Sequence, residues 1–327
     1  MTAPLTAGGR VTGATRPSRA RIKNRLAVWS MIAPALLGLA VFFVYPLAMN
    51  VYYSFTRYDL LSAPQWVGFR NYVYLFTQDP RVVTATFNTL WFVVILVPIR
   101  LVAALAVAWL LVRAKRASGF WRTLFYLPAL VPPVASVVAF VFLFNPGTGP
   151  VNLVLKFFGI TGPLWFNDPN LSKPSLVLLG VWVLGDIVII FLASLLDVPQ
   201  EQYEAAALDG ANGPQRTWYV TIPHIVPVLI FGIVTGVIGA LQYFTEAAVA
   251  SAVASGSAGV TTTNPGSVLG YPGDSLLTYT QWLYVRGFSN FQLGYASALA
   301  VLLFLVASIV VGLLLRRFDA FSSEGKA

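Results

Sequence analysis

The sequence predicts an all-α protein that crosses a membrane with six helices. Of its 327 residues, 57% are hydrophobic and only 10% are charged, whereas a soluble globular domain is about 25% charged. The mean hydropathy of +0.74 points the same way. Apolar stretches long enough to cross a hydrocarbon core of about 30 Å recur along the chain. The predicted spans are Ala27–Tyr53, Thr86–Val112, Phe120–Phe144, Ser175–Leu196, Pro223–Ala250 and Leu293–Leu315.

The first span has basic residues before it, as a secretory signal peptide does. Its apolar run is longer than the ~7–15 residues of a signal peptide, and five more spans follow it. The runs are continuously apolar, so they do not fit the alternating strands of a membrane β-barrel. The chain has no cysteine and one histidine, so we predict neither a metal site nor a catalytic group of these residue types.

The Lys and Arg residues outside the spans concentrate in the N-terminal tail, in the loop after span two and at the C-terminus. The positive-inside rule then places both termini in the cytoplasm. We divide the chain into a basic tail (1–26), a membrane domain (27–317) and a C-terminal tail (318–327). Residues 1–18 have the composition of a disordered segment, and Ser18–Leu26 fits a short basic helix at the membrane surface. The net charge of +9 is assigned to lipid headgroups and cytoplasmic loops, not to nucleic acid.

The loop between spans four and five predicts a short helix. Pro199 suits its first turn, and Glu201 and Glu204 lie near the positive end of its dipole. The pair Asp209-Gly210 predicts its end, with the glycine in a left-handed conformation.

A second short helix follows in the same loop, beginning near Pro214 and ending at the membrane with Pro223. The alanine-rich face of the first helix exposes little side chain, which allows another protein to approach closely. Because this helix has little apolar surface to anchor it, we expect it to need an outside partner to be rigid. An ordinary loop helix is the alternative.

This loop resembles the EAA loop of ABC importer permeases. The matching elements are Glu204-Ala205-Ala206, Asp209-Gly210-Ala211, Pro223 and Pro227. Two further segments, Phe120–Pro146 and Phe291–Leu305, are similar to the third and last spans of the maltose-type carbohydrate importer permeases. The resemblance covers most of the chain and implies the type I ABC importer permease fold in the cytoplasmic membrane.

The resemblance also implies partners and a mechanism. A second, homologous permease forms a heterodimer with this chain, two ATPase subunits bind ATP and Mg, and an extracytoplasmic binding protein delivers the sugar. Closure of the ATPases moves the docked loop, residues 198–222, as a lever. The implied coupling residues are Glu201, Glu204, Ala205, Ala206, Asp209, Gly210 and Ala211.

The chain lacks an ATP-binding motif of its own. No G-x-x-x-x-G-K-[ST] sequence occurs, and the only Gly-Lys pair is Gly325-Lys326. Since the motif carries the residues that cradle the phosphates, we predict that this chain is not an enzyme and holds no cofactor.

Polar and aromatic residues at membrane depth are the candidates for the substrate path, because buried charges there are costly and usually functional. They are Arg100, Trp182, Asp186, Gln242, Tyr243, Phe244, Glu246 and Tyr295. Aromatic rings stack on sugar CH faces, while amides and carboxylates bind hydroxyls. Trp182 and Asp186 are one helical turn apart and are predicted to share a face. Arg100 and Asp186 either form a structural ion pair or line the path, and simple helix packing explains the set equally well.

Prolines within the spans predict helix distortions. They are Pro98, Pro128, Pro132 and Pro133. His224, at the cytoplasmic start of span five, is expected to pack at the membrane edge and not to act as a ligand.

Two predicted outer loops, Leu60–Thr84 and Ser251–Gln292, are rich in aromatic residues. An interfacial aromatic belt accounts for most of them, and we expect the rest to contact the binding protein. An ion-coupled secondary transporter is the alternative function, but no inverted repeat is evident. An intramembrane enzyme is disfavoured by the scarcity of His and acidic residues.

Overall fold

A computed structural model describes residues 19–114, 118–256 and 268–324, and their side chains over 28–114, 118–256 and 268–316. This part of the chain is mostly helical. Four helices are long and apolar enough to cross a membrane: Val28–Ser54, Pro80–Arg113, Gly213–Leu241 and Leu293–Arg316. Two bent helix pairs raise the number to six if each pair is one span. The predicted disorder of residues 1–18 lies outside the described residues.

The described ranges contain sixteen α-helices. They are α1 (Arg19–Leu39), α2 (Tyr45–Ser54), α3 (Arg70–Thr77), α4 (Pro80–Trp91), α5 (Val97–Arg113), α6 (Ser118–Tyr126), α7 (Pro133–Leu143), α8 (Pro150–Phe157), α9 (Ser172–Trp182), α10 (Gly185–Leu196), α11 (Gln200–Leu208), α12 (Gly213–Arg216), α13 (Ile222–Leu241), α14 (Thr245–Ala254), α15 (Tyr279–Tyr284) and α16 (Leu293–Glu324). Two short strands, β1 (Thr56–Arg57) and β2 (Gln65–Trp66), pair antiparallel.

The chain divides into two compact units, with the boundary between Tyr52 and Tyr53. In the first unit α1 begins at Arg19 and continues as helix into the span. The basic segment is helical from Arg19, as predicted, but it is continuous with the helix that follows and not a short helix of its own. Its location at the membrane surface stays a prediction, and Ser18 lies outside the described residues.

Three π-helical turns each end two residues before a proline. They are Ala40–Val44 before Pro46, Phe92–Leu96 before Pro98, and Thr217–Thr221 before Pro223. Proline lacks an N–H and its ring crowds the carbonyl one turn earlier, and a widened turn relieves this crowding. The helix consequently continues through Pro98 and through Pro223. The prediction that Pro223 ends a short helix at the membrane is wrong for this reason.

The predicted third, fourth and fifth spans are not continuous. Helix α7 is bent by 96° from the Ser118–Leu130 helix, and α10 is bent by 48° from α9. The first break falls at Pro132 and Pro133, as the prolines predict. The fifth span stops at Leu241 and resumes at Thr245 as α14.

Close backbone packing fixes the positions of these breaks in the second unit. Helix α10 packs along α5, where Ala104 and Ala108 are fully buried against Phe191. Small residues allow helices to approach closely in membranes. At Gly185 a Cβ atom would lie 2.5 Å from the Phe125 carbonyl oxygen, so only glycine fits where α10 begins beside α6.

Candidate functional site

A polar cavity lies where the helices of the second unit are interrupted. It has two lobes of about 230 and 410 Å³, which share Leu96, Arg100, Asp186, Tyr243 and Glu246 in their walls. Of the shared residues, Leu96 ends the π turn before α5 and Arg100 lies in the first turn of α5. Asp186 lies at the start of α10, Tyr243 in the gap between α13 and α14, and Glu246 in the first turn of α14. The smaller lobe also reaches the break before α7. Interrupted helices expose backbone groups that a continuous helix would satisfy internally, so such breaks are tolerated where they line a cavity.

Arg100 and Asp186 form an ion pair in the cavity wall. The Nη2 atom of Arg100 donates to Oδ1 of Asp186 at 2.7 Å. The two side chains are 33% and 60% exposed. The ion pair is therefore present and its two residues also line the cavity, while their place on a substrate path stays a prediction.

Three helix N-termini meet the cavity, and two of them carry a carboxylate in the first turn. Asp186 lies in the first turn of α10 and Glu246 in the first turn of α14. A carboxylate at this position balances the positive end of the helix dipole. Helix α7 begins at Pro133, with Pro132 preceding it, so two of its end positions carry no N–H at all.

Several polar groups of the cavity have no protein partner within the described residues. The Ser136 side chain lines the smaller lobe, is 2% exposed and makes no hydrogen bond, and Nε of Arg100 is likewise buried without an acceptor. Glu246 has no cation within 4.0 Å among the described side chains. Buried polar atoms are nearly always hydrogen-bonded, so these groups indicate a place for a water or a ligand hydroxyl.

The structure gathers six of the eight predicted path residues around this cavity. They are Arg100, Asp186, Gln242, Tyr243, Phe244 and Glu246. Trp182 instead packs on Phe140, with ring centroids 5.3 Å apart, and is absent from the cavity wall. The prediction that Trp182 and Asp186 share a helical face is wrong, because the helix breaks between them. Ser136 was not among the predicted path residues.

Tyr295 belongs to a second polar site, the Asp79 cluster, formed by Tyr74, Asp79, Trp282, Arg286 and Tyr295. The Asp79 Oδ2 atom accepts hydrogen bonds from the Tyr295 hydroxyl (2.8 Å), from Trp282 Nε1 (2.9 Å) and from Arg286 Nη2 (2.9 Å). The guanidinium carbon of Arg286 lies 4.6 Å from the Trp282 ring centroid and 5.2 Å from that of Tyr295. Arg286 also donates to the Tyr74 hydroxyl at 3.1 Å. The cluster thus joins α3, α4, α15 and α16.

Asp79 is the N-cap of α4, and its other oxygen accepts from the backbone N–H of Arg81 at 3.1 Å. Burial alone raises the pKa of Asp79, but the hydrogen bonds from Tyr295, Trp282 and Arg286 outweigh burial and hold the pKa below its ordinary value. This site was not predicted from the sequence. The pair Asp79-Pro80 is a helix-start signal and was the only indication available.

The loop after α10 has the predicted turn. Helix α11 covers Gln200–Leu208, with Pro199 just before its first turn. Gly210 has φ +80°. The N–H groups of Gly210 and Ala211 donate to the carbonyls of Ala207 (3.1 Å) and Ala206 (2.9 Å). This is a Schellman ending, in which glycine supplies the left-handed residue.

The rest of the loop fixes α11 within the chain. Asn212 and Gln215 form a reciprocal capping box that starts α12. The hydroxyl groups of Tyr203 and Thr221 are 2.8 Å apart. These contacts tie α11 to the rest of the loop, and its need for an outside partner to be rigid stays a prediction. His224 lies 3.9 Å from the Asp197 carboxylate.

The predicted coupling residues lie largely on the surface. Glu201, Glu204, Ala205, Asp209 and Gly210 are exposed, and Ala206 and Ala211 are half-buried. Leu208 is 91% exposed, although it is apolar. The loop therefore presents small and apolar side chains next to three carboxylates.

The first aromatic loop, Leu60–Thr84, is fully described, whereas residues 257–267 of the second loop lie outside the described ranges. In the first loop the ring of Phe55 contacts Trp66, Phe69 and Tyr72 at centroid distances of 5.2–5.5 Å. Asn71 donates to the carbonyls of Ser54 and Thr56 at 2.9 Å. Contact with a binding protein stays a prediction for both loops.

Comparisons with known proteins agree on one family. Residues 100–322 match the family described as binding-protein-dependent transport system inner membrane component. A probable ABC transporter permease protein of Bacillus subtilis, YesP, is 34% identical, over 94% of this chain and 95% of its own length. The sn-glycerol-3-phosphate transport system permease protein UgpA of Salmonella typhi is 31% identical, over 90% of this chain and 95% of its own length. The arabinooligosaccharides transport system permease protein AraP of Bacillus subtilis is 29% identical, over 92% of this chain and 91% of its own length.

A solved structure shares the fold. The bacterial alginate ABC transporter in complex with an alginate pentasaccharide-bound periplasmic protein contains a chain that superimposes with a TM-score of 0.69 and 21% identity, over 90% of this chain and 94% of that one. The family match covers more than half of the chain, and the similarity to YesP extends over nearly all of it. The chain belongs to the family of inner membrane components of binding-protein-dependent transport systems, the permeases of ABC importers.

Proposed function

We propose that this chain is one permease subunit of an ATP-driven sugar importer. The observation that carries the proposal is the geometry of α11, an anchored, exposed helix with Gly210 at φ +80°. The permease relatives named above include one for arabinooligosaccharides and one for sn-glycerol-3-phosphate, and the structural neighbour imports alginate. These names support a carbohydrate or related polyol as the cargo.

The proposed assembly contains a second, homologous permease, two ATPase subunits with ATP and Mg, and an extracytoplasmic binding protein. The two bent helix pairs count as spans, which gives six, and both termini lie in the cytoplasm as the distribution of basic residues indicates. Residues 1–26 and 318–327 are then cytoplasmic tails around the membrane domain 27–317.

The loop 198–222 is proposed to transmit ATPase closure to the membrane helices. Glu201 and Glu204 face outward, where they can form charge-assisted bonds with Arg or Lys of an ATPase. The exposed Ala205 and Leu208 supply an apolar contact beside them. Because α11 is tied to Thr221 through Tyr203, a movement of α11 is passed to the helix that continues into α13.

The polar cavity is proposed as this subunit's part of the translocation path. It brings together a carboxylate, an amide and aromatic rings, the groups that bind sugars. An ion-coupled transporter would need acidic ion ligands at broken helices. Those features are present, but membership of the ABC permease family favours ATP-driven import.

The test is to replace Gly210 by valine in the assembled importer. At positive φ a β-branched side chain is disfavoured by about 1–2 kcal/mol or more, so the turn after α11 should be displaced. We expect binding of sugar by the external protein to persist, while stimulated ATP hydrolysis and uptake are lost. Glu204→Ala should have the same effect more mildly.

A matched control is Gly213→Val. A Cβ atom meets nothing within 4 Å at either glycine, but only Gly210 has a positive φ. Gly213→Val should therefore retain coupling. Normal stimulated ATPase activity and uptake in Gly210→Val would show that the loop is not the coupling element.

A further inference from the structure

We infer that the polar cavity accepts an uncharged, hydroxyl-rich ligand and excludes anionic ones. The inference rests on the proposed function and names the substrate class of the same site. The distinction matters because the named relatives and neighbours transport both kinds of cargo: arabinooligosaccharides are neutral, while glycerol phosphate and alginate are anionic.

The charges of the cavity wall sum to a negative value. Arg100 is the only cation among the lining residues, and Asp186 neutralises it at 2.7 Å. Glu246 is left without a cationic partner among the described side chains. An anionic ligand would have to compete with Asp186 for the guanidinium group and also approach a second carboxylate.

The helix N-termini at the cavity are poorly suited to a further anion. Helix N-termini are the usual anion sites of a backbone, and three of them meet this cavity. Two already carry a carboxylate in the first turn, Asp186 and Glu246, and the third begins with Pro132 and Pro133.

The groups that remain free suit hydroxyls. Ser136 is buried and without a partner in the smaller lobe. Gln242 lines the larger lobe and is exposed, and Glu246 accepts hydrogen bonds. Hydroxyl groups both donate and accept, so one ligand can satisfy all three side chains. The lobes of about 230 and 410 Å³ are of the size of small-ligand pockets.

The charge preference can be measured with a thiol reporter, because the chain has no cysteine of its own. Gly239 lines the larger lobe, and a Cβ atom there meets nothing within 4 Å. We would introduce Gly239→Cys into the chain in membranes with its partner subunits. The two probes are 2-sulfonatoethyl and 2-hydroxyethyl methanethiosulfonate, which differ mainly in charge. The reference is Leu61→Cys, at a position that is 91% exposed, and the cysteine-free chain gives the background labelling of its partners.

The measured quantity is the labelling rate with the anionic sulfonatoethyl reagent divided by the rate with the neutral hydroxyethyl reagent. We expect this ratio to be about tenfold lower at position 239 than at position 61. Asp186→Asn, which frees Arg100, should raise the ratio at position 239 about tenfold. Glu246→Gln should raise it as well. Asp168→Asn, at a half-buried position outside the cavity wall, should leave it unchanged.

Equal ratios at the two positions would overturn the inference, and so would a ratio that Asp186→Asn and Glu246→Gln both leave unchanged. If neither reagent labels position 239, the cavity is closed to both, and this result would also overturn the inference. The readout needs no transport. If the cavity repels anions but the importer takes up no sugar, only the proposed function is contradicted. If the importer takes up sugar but the cavity does not discriminate between charged and neutral reagents, only this inference is contradicted.

Discussion

Two Arg–Asp pairs in this protein have nearly the same contact distance and opposite surroundings. Arg286 and Asp79 are 2.9 Å apart, with side chains 13% and 2% exposed. Arg100 and Asp186 are 2.7 Å apart, with side chains 33% and 60% exposed. Asp79 accepts four hydrogen bonds from side chains and backbone, whereas Asp186 opens onto a cavity. The contact distance alone therefore does not distinguish a fixed structural pair from an accessible one.

The difference has an energetic reason. A buried pair is held by its network, and removal of one partner leaves an uncompensated buried charge. An exposed pair contributes little to stability, since water screens and solvates both charges. The Asp79 cluster is thus suited to hold four helices in place, and the Arg100–Asp186 pair is free to respond to what enters the cavity.

The largest expected effect separates the two pairs directly. Asp79→Ala should lower the free energy of unfolding by about 3–5 kcal/mol, because Arg286 stays buried without its carboxylate. Asp186→Ala, the matched variant, should lower it by about 0–1 kcal/mol. Denaturant unfolding of both variants in detergent measures the difference. Equal losses of unfolding free energy would show that the two ion pairs contribute equally to stability.

For sugar uptake we expect the larger loss in variants of the cavity, not in variants of the Asp79 cluster. Glu246→Ala and Gln242→Ala remove hydrogen-bonding groups from the cavity, so we expect sugar uptake to fall about tenfold while the complex still assembles. Tyr295→Phe is the control, since its hydroxyl bonds to Asp79 and not to the cavity. That variant should lose about 1 kcal/mol of stability and retain uptake. Wild-type uptake rates in both cavity variants would place the path elsewhere.

The smallest expected effect is a pH dependence of the Asp79 cluster. The folded pKa of Asp79 lies below its ordinary value, so its stabilisation is complete above about pH 4 and is lost as the pH falls through the folded pKa. The melting-temperature difference between the wild type and Asp79→Asn should stay constant from neutral pH to about pH 4 and narrow below it. If this melting-temperature difference begins to narrow well above pH 5, the lowered pKa of Asp79 is contradicted.

Local chemistry allowed parts of this structure to be predicted from sequence. Apolar stretches of about 20 residues located the four long membrane helices of the described residues and the two bent pairs. Gly210 was placed at a left-handed turn because the helix before it ends in Asp-Gly. Arg100, Asp186 and Glu246 were singled out because charges at membrane depth need a partner or a function. Each of these inferences uses neighbours in the chain or the cost of a charge in lipid.

Long-range packing decided the rest. The break before Gly185 depends on the backbone of α6, which is distant in sequence, and it removed Trp182 from the cavity wall. The Asp79 cluster joins residues more than 200 positions apart, so no local pattern marks Tyr295 as its member. The cavity itself exists only where three interrupted helices meet the continuous helix that carries Arg100. Sequence determined which residues are costly to bury and where the chain turns, whereas the tertiary structure decided which of them meet, because contacts between distant segments are fixed by packing and not by spacing.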